Sequence, residues 1–280
     1  MKYIIYKGTG GLVHMLSGIQ SAVKIAKEED RILIIDTEKL TAFKKNFNDY
    51  FFIYDKELRY YTDYKNIDKT LKYKELTIDE VDVKKAQFRE GKYYLEGTDI
   101  RIHKHLDDDK NDLIRLYAGH SDDFIENLRL HNNILYQIFD RSIEKIEKMK
   151  KYIGVHFRNT DMKNDIKKFV EKIKKTSDQK KIKNIFIATD DYHAFKTFQN
   201  LLPGLNFFRM HEVEDCKGKN IHYHYKDKEL LIMSTLIDIY MLIKSKYFIP
   251  SRNSGVSKWI IYQKKMKIHD YLMMNIILKL

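Results

Sequence analysis

The apolar positions along the chain fall into two alternating periods. Lys2 to Tyr6 is a short apolar run of the kind a buried strand makes, and Gly8, Gly10 and Gly11 punctuate it. From Leu12 the apolar residues recur at Met15, Leu16, Ile19, Val23 and Ala26, which is helical spacing, and Arg31 to Asp36 is again an apolar strand. A strand, a glycine turn, a helix and a second strand open a doubly wound parallel sheet. The stretch from about 50 to 150 alternates less clearly. It contains short two-period pieces such as Lys92 to Leu95, and one long helix or two over Asp122 to Lys150, with Phe124, Leu128, Ile134, Leu135, Ile138 and Ile146 as its core side.

The second half alternates cleanly. Strands are predicted at Tyr152 to Phe157, Ile185 to Ala188, Leu205 to Arg209 and Lys246 to Ile249. Helices are predicted at Ile166 to Lys174, Tyr192 to Leu201, Glu229 to Lys244 and Ser254 to Gln263. Strands that alternate with helices imply parallel order and right-handed crossovers. The fold class expected is therefore α/β, with two Rossmann-like domains whose parallel sheets face a central cleft. The first domain is expected at 1–150 and the second at 151–265, with 266–280 packing back on the first. Ligands of such sheets sit beyond the carboxyl ends of the strands, here Phe157, Ala188 and Ile249.

Composition narrows the function classes. The formal net charge is +12 from 52 Lys and Arg, but only 10 of these are arginines. Arginine, rather than lysine, is the usual reader of bases and phosphates, so the lysine excess is read as solvated surface and not as a nucleic-acid footprint. The charge would still attract an anionic substrate. One cysteine, Cys216, permits no internal disulfide, and no segment has the length and apolarity of a membrane span. The expected setting is the cytoplasm, with peripheral association at a membrane surface open to the basic face.

Four polar segments follow strand ends. In Gly154-Val155-His156-Phe157-Arg158-Asn159-Thr160-Asp161, Arg158 can fork onto a diphosphate, His156 can donate to a phosphate or orient Arg158, and Asp161 can pair with Arg158. The same residues also make an ordinary polar strand end with an incidental ion pair. In Ile187-Ala188-Thr189-Asp190-Asp191, the two carboxylates either cap the next helix or meet a ligand. Asp238 is a lone carboxylate in the apolar helix around Ser234 to Tyr240, where burial without a partner is costly, so a ligand hydroxyl or N–H is expected there. Pro250 to Lys258 carries Ser251, Ser254 and Ser257 from a strand into a helix, either as a phosphate-binding helix start or as a plain serine cap. Asp107-Asp108-Asp109 is read as a solvated acidic loop. His222 and His224, which could point one way from a strand, lack a third ligand, so no metal site is expected.

Taken in order, GVHFRNTD at 154–161, IATDD at 187–191 and LIDIYMLIKSKYFIPSRNSGVSK at 236–258 resemble the GDP-fucose-dependent transferases of the α1,6-, nodulation and protein O-fucosyltransferase superfamily. The Gly-rich turn before RILIID is similar to that group's opening. The resemblance implies a GT-B fold and metal-independent, inverting transfer of a sugar, fucose from GDP-fucose, to a glycan acceptor. It implies that Arg158 meets the donor β-phosphate with His156 beside it. Asp190 or Asp191, with Asp238, lies around the nucleoside. Ser254 lies on the diphosphate, with Ser251 and Ser257 as neighbours. Asp165, then Asp161, is the expected catalytic base. No cofactor is implied beyond the donor substrate. Asn159 stands where the α1,6 group has a second arginine, Met162 where a lysine is common, and Asp165 is one position short of that group's acidic residue. These departures keep a related transferase of another UDP- or GDP-linked sugar, or a non-catalytic nucleotide or glycan binder, as alternatives.

Overall fold

The computed structural model describes residues 3–6, 11–36, 46–62, 113–116, 128–160, 163–217, 219, 221–252 and 254–265. Gly8, Gly10, Lys92 to Leu95, Asp107 to Asp109, Phe124, Asp161 and the 266–280 segment lie outside the described residues. The chain divides into two compact units, 1–131 and 132–280.

In the first unit, β1 (Tyr3–Tyr6), α1 (Leu12–Glu28) and β2 (Ile32–Ile35) form the expected opening. Met15, Leu16, Ile19, Val23 and Ala26 are all buried on one side of α1. A 3-10 turn (Phe47–Asp49) leads into β3 (Phe51–Ile53), followed by β4 (Tyr60–Tyr61), β5 (Leu113–Leu116) and β6 (Leu128–Leu130). The main sheet runs β4-β2-β1-β5 with parallel pairing throughout, and β3 pairs separately and antiparallel with β6.

One expectation for the middle of the chain is corrected here. Residues 128–130 form a strand and not a helix, because Leu128 and Leu130 are buried while Arg129 between them is not, a period of two. The helix that follows, α2 (Asn132–Met149), belongs to the second unit and packs on a helix of that unit.

The second unit continues with β7 (Ile153–Phe157), α3 (Ile166–Lys180), β8 (Asn184–Thr189), α4 (Ala194–Leu201), β9 (Asn206–Phe208), the short α5 (Ile221–His224), α6 (Lys228–Lys244), β10 (Tyr247–Ile249) and α7 (Gly255–Lys265). Its sheet has the order β10-β7-β8-β9, all parallel. The His222–His224 stretch is therefore helical and not a strand.

Strand β7 is sorted by the pleat. Ile153, Val155 and Phe157 join the buried cluster formed with α3, β8 and α4, where the Phe157 ring meets Phe169 and Phe198 edge-on at 5.0 and 5.1 Å. The opposite face carries Gly154, His156 and then Arg158 toward α6. At Gly154 the lack of a side chain is a packing requirement, since a Cβ there would lie 2.8 Å from Ser245 Cβ and Oγ and 3.1 Å from Leu242 Cδ2. Tyr152 ties the strand's start to the same helix by donating to the Met241 carbonyl at 2.6 Å. Helix α6 is capped at its start by Asp227 and at its end by Lys264 of α7, whose Nζ donates to the carbonyls of Ile243 and Ser245 at 2.7 and 2.6 Å.

Gly154→Ala is expected to push α6 off β7 and to lower stability by about 1–3 kcal/mol, read as a lower denaturant midpoint.

Candidate functional site

The site is built at the carboxyl end of the second sheet. The last β10–β7 ladder pair is Ile249 with Val155, and past Pro250 the chain turns toward α7. The Ser251 hydroxyl takes over: its Oγ accepts from Arg158 N–H at 2.8 Å and donates to the His156 carbonyl at 2.7 Å. These are the two main-chain groups a parallel partner opposite Phe157 would have paired. The Ser251 N–H in turn donates to Ser257 Oγ at 3.0 Å, and that oxygen lies 2.8 Å from His156 Nδ1. Ser254 accepts from the Ser257 N–H with its hydroxyl at 3.5 Å, the geometry of a helix cap on α7.

At 3, 1 and 2% exposure, Ser251, Ser254 and Ser257 lie behind the pocket wall and not on it.

The two carboxylates after β8 build the loop that follows Arg158. Asp190 accepts from Asn159 N–H at 2.7 Å with one oxygen and from the Thr160 hydroxyl at 2.6 Å with the other. The second oxygen lies 3.8 Å from Arg158 Nε, with both side chains less than a fifth exposed. Asp191 accepts from the Asn159 side-chain amide at 2.7 Å and from His193 N–H at 2.9 Å. The Asn159 side-chain carbonyl accepts from Asn164 N–H at 3.2 Å, and the Asn164 amide donates to the Arg158 carbonyl at 2.5 Å. The asparagine in place of a second arginine is thus the hub of the loop. Asp165 stands at the start of α3, exposed, with Oδ1 accepting from Lys167 N–H at 2.9 Å.

A pocket of about 640 Å3, open mouth included, brings four of the expected residues together: His156, Arg158, Asp190 and Asp238. Its far wall is a stripe of α6, Leu231, Thr235, Asp238, Ile239 and Leu242, and Val256 at the start of α7 closes it beside His156. Asp191, Asp165 and the three serines are not among its lining residues. His211 and Tyr225 line it and escaped the sequence reading. His211 lies in the loop just past β9, so the strand-end rule applied to the fourth strand as well as to the other three would have found it.

Burial sets the charge states. Desolvation in the pocket wall, with the Arg158 guanidinium beside it, pushes His156 down to about 3, and so it is a neutral imidazole at ordinary pH. Burial also drives His211 down to about 4, helped by Arg209 and Lys145, and holds Asp238 well above the usual carboxylate range against the pull of Lys145. His211 Nε2 and Asp238 Oδ2 are 3.7 Å apart at 24 and 15% exposure. Since burial favours the neutral form of each, this contact is read as carboxyl against neutral imidazole and not as an ion pair. Asp238 Oδ1 and His211 Nδ1 are buried without a hydrogen-bond partner. Such orphans are rare in a folded interior and cost about 1–3 kcal/mol each until a ligand or water meets them. No cluster of His, Cys, Asp or Glu able to hold a metal occurs among the described residues, nor does a helix long and apolar enough to cross a membrane.

The sequence matches no protein-family profile and no curated protein. Solved structures do share its fold. Fucosyltransferase NodZ from Bradyrhizobium aligns with a TM-score of 0.60 at 17% identity, over 93% of this chain and 92% of that one. NodZ alpha-1,6-fucosyltransferase co-crystallized with GDP gives 0.56 at 15%, over 93% and 91%. POFUT1 in complex with GDP gives 0.56 at 13%, over 96% of both chains. At these identities the likeness is one of fold, and it agrees with the GT-B-like α/β class expected from the sequence.

Below pH 6.5 the unfolded chain takes up protons that His156 and His211 refuse when folded, so stability falls as pH drops from 6.5 toward 4. Melting temperatures measured from pH 7.5 to 4.5 should fall less steeply in His156→Gln and in His211→Gln than in the wild type.

Proposed function

We propose that this chain is an inverting glycosyltransferase that moves fucose from GDP-fucose to a glycan acceptor without a metal ion. The observation that carries the reading is the meeting, in one pocket of this fold, of an arginine at a strand end, a neutral histidine beside it and a carboxyl with one unmet oxygen across from both. The neighbours' crystals held with GDP support the choice of donor class.

The chemical demand is departure of a nucleoside diphosphate, whose leaving oxygen gathers negative charge as the anomeric bond breaks. Fixed cations and aligned N–H groups stabilise that charge without rearranging. Arg158 is fixed from both ends, by Asp190 at its guanidinium and by Ser251 at its main-chain N–H. The start of α7 at Val256 adds the positive end of a helix to the same wall. Asp238 receives the nucleoside, its orphan oxygen accepting an N–H or O–H of the ligand. Asp190 and Asp191 support the donor site through the Asn159 loop. Ser251, Ser254 and Ser257 hold the strand end and helix start that meet the diphosphate. The acceptor hydroxyl gives its proton to a carboxylate at the start of α3, Asp165 first and Asp161 second. The 1–131 unit is assigned to the acceptor, and the single cysteine suits a reducing cytoplasm. A donor with another sugar is the second reading, favoured by Asn159, which supplies loop hydrogen bonds where a second cation would stand.

Arg158→Ala should lower GDP release from GDP-fucose by about 100- to 1,000-fold while melting as the wild type does. Wild-type turnover in that folded variant would sink the reading. Asp238→Ala should weaken GDP binding at least about tenfold by calorimetry, and thermal shifts should rank GDP above UDP and ADP. A UDP preference would favour the second reading.

A further inference from the structure

The hydroxyl of Ser257 sits between two groups of unequal freedom. The Ser251 N–H can only donate, so at 3.0 Å it takes one lone pair of Ser257 Oγ. The contact with His156 Nδ1 at 2.8 Å can then run either way. If Nδ1–H were the donor, the Ser257 hydroxyl proton would need a separate acceptor, and the described residues offer none to this 2%-exposed side chain. A buried hydroxyl proton left unpaired is costly. If Oγ–H donates to Nδ1, the Ser251 N–H, the hydroxyl and Nδ1 are all satisfied at once. The imidazole's one proton then stands on Nε2. That nitrogen has no partner among the described residues, and His156 lines the pocket beside Arg158.

We propose that Ser257 is a positioning residue of the donor site, fixing His156 in the tautomer that offers Nε2–H to an anionic oxygen of the bound diphosphate. The inference rests on the donor-site reading for what the N–H meets, but the tautomer itself belongs to the protein alone. It gives His156 a definite part. With Nδ1 occupied by Ser257 and the proton on Nε2, the ring has no lone pair toward the pocket and cannot serve as base for the acceptor hydroxyl. It donates a hydrogen bond without carrying charge. Ser251 acts at one remove by anchoring Ser257 Oγ through its N–H and the end of β7 through its hydroxyl.

The test reads the ring nitrogens directly. In ligand-free protein labelled with 15N-histidine at pH 7, long-range 1H–15N correlation should show His156, identified by its loss in His156→Gln, as a single Nε2–H tautomer. Ser257→Ala should mix the tautomers and lower kcat for GDP-fucose turnover about 10- to 100-fold, the usual size for a group that orients a ring through its other nitrogen. Its GDP affinity should change much less. Ser257→Thr, which keeps the hydroxyl, should restore both tautomer and rate, and adding Ser257→Ala to His156→Gln should cost little more. An Nδ1–H tautomer in the wild type overturns the proposal, as does Ser257→Ala with wild-type tautomer and kcat. An Nε2–H tautomer in a protein that binds no GDP removes the donor reading and leaves the tautomer assignment standing.

Discussion

The site depends on what happens to the hydrogen bonds of β7 once its neighbour β10 gives out. Past Ile249 the chain turns into α7, and the Ser251 N–H that would continue the ladder goes to Ser257 instead. The Ser251 hydroxyl meets the Arg158 N–H and the His156 carbonyl, with 2.8 and 2.7 Å contacts. The side chains of His156 and Arg158 leave β7 in fixed directions because the backbone that carries them is paired as though the sheet continued. The pocket's polar end is therefore a continuation of the sheet by side-chain means.

The same economy shapes the loop beyond Arg158. Two adjacent carboxylates, an asparagine and a threonine satisfy one another and the backbone between β8 and the start of α3. Such a network is rigid only when its members are met, and here the donors of Asn159, Thr160 and Asn164 each find an acceptor. The guanidinium of Arg158 is held against Asp190 from within that network. What the loop gains in order it loses in positive charge, since the residue next to Arg158 is a hub and not a second cation.

Much of this was legible in the chain. The alternation of strand and helix after residue 150 reads directly because β7 and β8 carry period-two or continuous apolar runs, and α1 buries the stripe its spacing predicts. The cluster of His156, Arg158, Asp190 and Asp238 was readable from strand ends and from one carboxylate in an apolar helix. Which of two roles a residue plays was not. Asp191, Ser251, Ser254 and Ser257 belong to residue types that both bind ligands and cap backbones, and only register and burial decide between them. At Leu128–Leu130 a three-residue strand was too short to interrupt the helical reading of its surroundings. His211 went unread because the strand-end rule was applied to three of the four strands and not to β9, beyond which the fold sets it against Asp238.

The lysine that closes α6 has a mechanical meaning. Lys264 reaches from α7 to the last carbonyls of α6, and burial lowers its proton affinity to about 8 without removing its charge near neutrality. The helix that bears Asp238 and the helix whose first turn reaches the wall beside Arg158 are thereby riveted at their far ends. Their near ends cannot drift apart independently, so the stripe of α6 that carries Asp238 keeps its station against Val256 across the pocket.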